Sequence, residues 1–155
     1  GCGFITVTTN FVWDMHADVN NADMITGMNY MGVPFDHAVS AFLEDLRDRG
    51  LEDKVLLVCC GEMGRTPRIN KKGGRDHWGN IAPLMLAGGG LEMGQVIGQS
   101  TRDVGEPLTT PCRIENLIDT VFNTLFDVGQ VRLNQGLPRD IARAMETYQP
   151  IPGLL

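Results

Sequence analysis

Apolar and polar positions along this chain change period repeatedly, and each change predicts an element. Residues 4–9 (F-I-T-V-T-T) alternate and are β-branched, the period-two pattern of a strand ending near Asn10. The continuation through Phe11 and Val12 turns polar at Asp14, His16 and Asp18. Residues 20–32 hold no sustained periodicity and read as a surface loop whose Met and Tyr residues are available to a core or a partner chain. Pro34 then opens a helix on which Phe35, Ala38, Val39, Phe42, Leu43 and Leu46 recur at helical spacing, with Gly50 as the stop. Residues 54–60 (K-V-L-L-V-C-C) form the continuous apolar run of a buried parallel strand. Strand, helix and strand in that order make a βαβ unit, and its right-handed crossover sets the two strands parallel.

Farther on, residues 81–87 read as a third strand, stopped by Gly88, Gly89 and Gly90. The triple glycine is a turn signal, because no helical pattern follows it to form a phosphate loop. Residues 95–98 suit a short edge strand. Thr110 and Pro111 look like an N-cap and first helical residue, before a helix whose apolar face is Ile114, Leu117, Ile118, Val121, Phe122 and Leu125, ending at Gly129. A short helix over residues 138–145 and an extended tail at residues 150–153 complete the pattern. Without repeats or a low-complexity linker, residues 1–155 form a single domain. The fold expected is α/β and three-layered, a mainly parallel sheet with helices on both faces.

Composition narrows the partners. The 155 residues are 43% apolar, enough for one core, and carry a net charge of -6 with no run of Lys or Arg. That balance argues against nucleic acid and against an anionic membrane surface as partners. No apolar stretch approaches the roughly 20 residues of a membrane span. Gly1-Cys2-Gly3 runs at once into the strand pattern with no initiating Met, so a segment upstream is expected to be absent. Cys2, Cys59, Cys60 and Cys112 have no C-x-x-C spacing. Cys59 and Cys60 are adjacent, so in a strand they point to opposite faces and read as small core residues.

The chemistry concentrates at the expected strand ends. Asp14 and His16 are two apart, so extended backbone turns a carboxylate and an imidazole toward the same side. Glu62 follows the 54–60 strand, and Arg75, Asp76 and His77 follow a Gly-Gly loop ten residues on. Parallel strands would deliver Asp14, His16 and Glu62 to one sheet edge, with His77 folded back over it. Carboxylate oxygen with imidazole nitrogen suits zinc, manganese and similar divalent ions. Arg65 and Arg75 are the cations nearby able to grip an oxyanion in bidentate fashion, and so are candidate substrate-binding groups. His37, in the first turns of its helix, reads as a partly exposed structural residue.

The motif string W-D-M-H (residues 13–16), E-D-L-R-D-R-G-L-E-D-K-V-L-L-V (44–58), G-E-M-G-R-T-P-R-I-N (61–70), G-R-D-H-W (74–78) and L-A-G-G-G-L-E-M-G-Q-V-I-G (86–98) resembles the DUF1501 family, sulfatase-like members of the alkaline phosphatase superfamily. Coverage runs from about Phe4 to the chain end. The resemblance implies the C-terminal part of an alkaline phosphatase or sulfatase-like domain, truncated at its N-terminus, with Asp14, His16, Glu62 and His77 as metal ligands. Zinc, manganese or calcium is the implied cofactor, a small phosphate or sulfate ester the substrate, and an exported or periplasmic location the setting. Glu62-Met63 departs from the Asp-His or Asp-Asn usual at the second strand, and Ala17 replaces the glycine that usually follows W-D-T-H. The superfamily's nucleophile comes from an N-terminal region not present here, so this chain alone is expected to bind metal weakly and to be inactive or nearly so. A sheet edge exposed by truncation implies a homo-oligomer. The rival reading is a non-catalytic module with Glu62–Arg65 and Asp14–Arg75 as internal ion pairs. A nucleotide-binding protein is disfavoured, since neither G-x-G-x-x-G nor a Walker pattern follows a long strand.

Overall fold

The longest element is the helix α1, Met24–Asp48. It begins well before Pro34 because a local N-terminal signal lies upstream. The Asp23 carboxylate accepts from the Thr26 backbone N–H at 2.8 Å, capping the helix. Pro34 is carried inside, where it removes one N–H from the ladder. The loop expected over residues 20–32 is therefore helical from Met24 onward. Met31 and Leu46 are buried and Phe35, Val39 and Leu43 half-buried between them, whereas Ala38 and Phe42 face solvent. His37 is exposed on the same helix.

The computed structural model describes residues 2–9 and 13–155. Within them, β1 (Leu56–Cys60) pairs antiparallel with β4 (Leu84–Gly88), Leu56 opposite Gly88 and Cys60 opposite Leu84. A second antiparallel pair joins β2 (Gly64–Arg65) to β3 (His77–Trp78). The remaining helices are α2 (Ile114–Leu125), α3 (Val128–Val131) and α4 (Arg139–Thr147).

These elements overturn the expected three-layer α/β fold with a mainly parallel sheet. Four helices and two two-stranded antiparallel sheets are what the described residues contain. One reason lies at residues 4–9, which join neither sheet, with Phe4, Ile5 and Val7 at 80%, 72% and 89% exposure. Alternating β-branched residues fit a pleated surface, yet they do not supply the neighbouring strand that makes one. Without it there is no βαβ unit. The other reason lies between β1 and β4, where the chain doubles back through the β2–β3 hairpin instead of crossing over by a helix, and a returning chain pairs antiparallel. The expected strand end at Asn10, with Phe11 and Val12, lies outside the described residues.

The glycine stop after β4 holds, since Gly88, Gly89 and Gly90 have φ of 78°, 67° and 75°, three successive left-handed residues that side chains would strain. Residues 95–98 form no strand, and an isolated bridge joins Ser100 to Pro107 instead. Helix α2 starts after Pro111, at a point where Asn116 Oδ1 accepts from the Arg113 N–H at 2.7 Å. Gly129 falls inside α3 rather than ending α2. The most buried positions of α2 are Asp119 and Thr120, not its apolar stripe, of which Ile114 and Leu125 are exposed.

Thr120 explains that inversion. Its Oγ1 accepts from the Ile151 N–H at 2.8 Å, and Asn116 Nδ2 donates to the Gln149 carbonyl at 2.9 Å, so the polar side of α2 clasps the C-terminal tail. Ile151 and Leu154 then join Leu91 as a buried cluster, against which Leu56 and Leu86 pack. The tail, expected to be extended, turns at Pro152 and Gly153, with the Leu154 N–H donating to the Ile151 carbonyl at 3.4 Å, and it is also core. All four cysteines are free, Cys59 half-buried and Cys60 exposed at the end of β1. No described helix is long and apolar enough to cross a membrane.

Candidate metal centre

Residues 13–16 run alongside α1, and alternation sorts their side chains. Trp13 meets Phe35 edge to face with ring centroids 5.7 Å apart, and Met15 is buried against Gly27. Asp14 and His16, between and beyond them, are turned to the other side, as their spacing predicts. There they meet the β2–β3 hairpin, in which Arg65 stands directly opposite His77. Cross-strand partners share a face, so one hairpin presents a guanidinium and an imidazole together.

The turn of that hairpin is held by Asn70. Its Oδ1 accepts from the Lys72 and Gly74 N–H groups, both at 3.0 Å, while its Nδ2 donates to the His16 carbonyl at 2.9 Å. The Arg75 N–H donates to the Met15 carbonyl at 2.8 Å. Gly74 lies so close to the His16 carbonyl that a Cβ there would collide with it. Backbone contact between the two segments thus depends on glycine at this position.

The result is a nearly equilateral triangle of donor atoms. Asp14 Oδ1 lies 2.9 Å from His16 Nε2 and 3.0 Å from His77 Nε2, and the two Nε2 atoms are 3.0 Å apart. Behind His16, its Nδ1 is 3.2 Å from Asp76 Oδ1. An ionised carboxylate only accepts, so a neutral His16, with one ring proton, donates to Asp76 or to Asp14 but not to both. The nitrogen left bare then faces a carboxylate oxygen, a contact that a cation between them or a second proton on the ring would satisfy. Imidazole, imidazole and carboxylate, with a carboxylate behind one ring, is the donor chemistry of a divalent metal site, so these residues fit the group.

Charge around the triangle is already partly balanced. Arg65 Nη2 donates to Asp14 Oδ1 and to the Trp13 carbonyl, each at 2.7 Å, and its Nη1 lies 3.4 Å from His16 Nε2. Hydrogen bonds from His77 and then Arg65 hold the Asp14 carboxyl at a pKa of about 2 despite some desolvation. An open cleft of about 490 Å³ adjoins the cluster, lined by His16, Asp18, Asn70, Lys71, Lys72 and Asp76.

Of the residues expected here, Asp14, His16 and His77 converge. Glu62 is exposed after β1 and stands outside the donor group, because β1 and the segment of Asp14 are not neighbouring parallel strands. Arg65 is in the cluster, whereas Arg75 Nη1 donates to the Thr66 carbonyl at 3.3 Å. The ion pairs Glu62–Arg65 and Asp14–Arg75 do not form among the described residues; Asp14 pairs with Arg65. Asn70, Lys71, Lys72 and the bracing role of Asp76 escape a reading by motif. The one signal for Asn70 is an amide four residues before Gly74, the spacing of a side chain that closes its own turn.

Among curated proteins and among solved structures, none matches this chain. The family model described as protein of unknown function (DUF1501) matches residues 1–144, and the chain belongs to that family.

Proposed function

We propose that this chain carries a divalent-metal centre of a phosphate or sulfate ester hydrolase, with Asp14, His16 and His77 as its protein donors. The observation that supports it is the donor triangle itself, three ligand atoms of the right types with every edge at 2.9 to 3.0 Å. A bound divalent ion would supply Lewis-acid polarisation of an ester oxygen or of the attacking water. The chain's own groups do the rest. With a metal on His16 Nε2, Asp76 would accept from Nδ1 and hold the ring in place. Arg65, beside Asp14, is within reach of the oxygens of an anion bound over the triangle. Lys71 and Lys72 add positive charge to the adjoining cleft and favour an anionic substrate in an otherwise acidic protein.

The test is turnover of an aryl phosphate and an aryl sulfate by the full-length protein, metal-free and metal-loaded. Metal-dependent hydrolysis, reduced about 10- to 100-fold or more in His77→Ala, is the expected result. A metal-loaded full-length protein that turns over neither ester contradicts the hydrolase. The Arg65–Asp14 pair at 2.7 Å favours one second reading, a non-catalytic module in which this guanidinium, not a metal, neutralises the site. That module would keep its thermal stability unchanged under saturating zinc and manganese.

A further inference from the structure

We infer that residues 4–9 of one copy of this chain add as a third strand to the outer edge of β1 in a second copy, so that two copies pair by exchanging strands. Each molecule carries both halves of that contact. Over residues 4–9, F-I-T-V-T-T alternates with the period of a strand, yet the segment joins neither sheet, and Phe4, Ile5 and Val7 are exposed. β1 has only β4 beside it, and among the described residues no other backbone pairs with residues 57–60. A two-stranded sheet is marginal in water, and its open edge is a template for a further strand.

The edge of β1 suits the addition better than that of β4. Leu56–Cys60 holds no charge, Pro or Gly, the devices by which natural edges refuse partners, whereas β4 follows Pro83 and ends in Gly88 at φ 78°. Side-chain pattern agrees. Leu56 and Val58 share one face of β1, Val58 stands opposite Leu86, and Leu56 and Leu86 pack against the buried Leu91, Ile151 and Leu154. Period two puts Ile5 and Val7 on a common face, so a strand laid beside β1 with that face inward extends the same apolar layer and leaves Thr6 and Thr8 on the other side. Area favours a second copy as the occupant. The chain exposes 11491 Å², an excess over a compact monomer of its mass that is ample for the roughly 1,200 to 2,000 Å² a stable pair hides. A second copy also brings segment and edge in equal number, and a twofold exchange fills both at once.

The experiment is sedimentation of the full-length protein, with hydrogen exchange read at the outward-facing amides of residues 57–60. Thr6→Pro removes a ladder N–H from an exposed residue that no described strand pairs with. A dimer at micromolar concentration in which those amides exchange slowly, and whose Kd rises at least about 10-fold in Thr6→Pro as the amides speed up, is the expected result. A monomer with fast-exchanging amides overturns the pairing. A monomer in which they are protected shows the edge covered within one molecule and overturns the second copy as occupant. A dimer indifferent to Thr6→Pro overturns this strand as its contact. Wild-type mass and exchange decide the occupant whether or not Thr6→Pro folds.

Discussion

His16 stands between two carboxylates, Asp14 2.9 Å from Nε2 and Asp76 3.2 Å from Nδ1, and the division of labour between them sets what the ring can bind. Removing the rear partner frees the tautomer and the ring orientation, so Asp76→Ala should weaken manganese affinity about 10- to 100-fold with the donors intact, as measured by calorimetry. Arg65 acts in the opposite sense. Its guanidinium contacts two of the three donor residues and competes with any metal for Asp14. Arg65→Met should therefore tighten metal binding about fivefold, roughly 1 kcal/mol after solvent screening, even as it removes a grip on the substrate. Asp14 stays ionised down to about pH 2, so mild acidification leaves its carboxylate available to a metal. Ala17 sits at φ 60°, a left-handed conformation that costs an L residue about 1 kcal/mol. Ala17→Gly should raise stability by about 0.5 kcal/mol once the added chain entropy of glycine is subtracted, seen as a slightly higher melting temperature. Asp14, His16 and His77 were readable in the sequence because period-two backbone and a Gly-flanked loop are local signals. Glu62 was misplaced because its position rested on a parallel pairing, which no local signal encodes.

Elements were legible where a local pattern matched a local environment. β1, β4 and α4 lie within a few residues of their patterns, and α1 keeps its second half. The first half of α1 went unread because Pro34 was taken as a start when the Asp23 cap already lay upstream. Helix α2 lies within its expected span but is shorter at both ends, and its most buried side is not the expected one. Its hydroxyl and amide groups clasp the tail, and that tertiary choice leaves Asp119 buried with Oδ1 unpaired. Burial pushes the Asp119 carboxyl above its ordinary value. The folded state then binds a proton that the unfolded chain has released, so stability is greatest at or below the unfolded pKa of 3.8 and falls as pH rises through the folded value. Asp119→Asn keeps the shape and removes the buried charge. It should stabilise the chain by about 1 kcal/mol at pH 7, with little gain at pH 4, in denaturant titrations at the two pH values.

The whole molecule exposes 11491 Å², about half as much again as the roughly 7,700 Å² of a compact monomer of its 17.0 kDa. Phe4, Ile5, Val7, Ile25, Val33 and Ile114 contribute to that excess. A specific interface needs about 1,200 to 2,000 Å² in total, so the excess is ample for a second copy. Self-association in sedimentation at micromolar concentration is the expected behaviour, and a clean monomer would argue against it. Scale explains what the sequence withheld. A parallel sheet was inferred from apolar runs that are real, but strand pairing is a property of the whole chain, and here the hairpin carrying His77 turned the chain back on itself. The same hairpin is what closes the donor triangle. Calorimetric titration of the metal-free chain with Mn2+ tests that triangle most directly. One site per chain, lost in both His16→Ala and His77→Ala and retained in Glu62→Ala, is the outcome a centre built on these three residues requires. Absence of any binding at millimolar metal, or binding that survives both histidine substitutions, would contradict it.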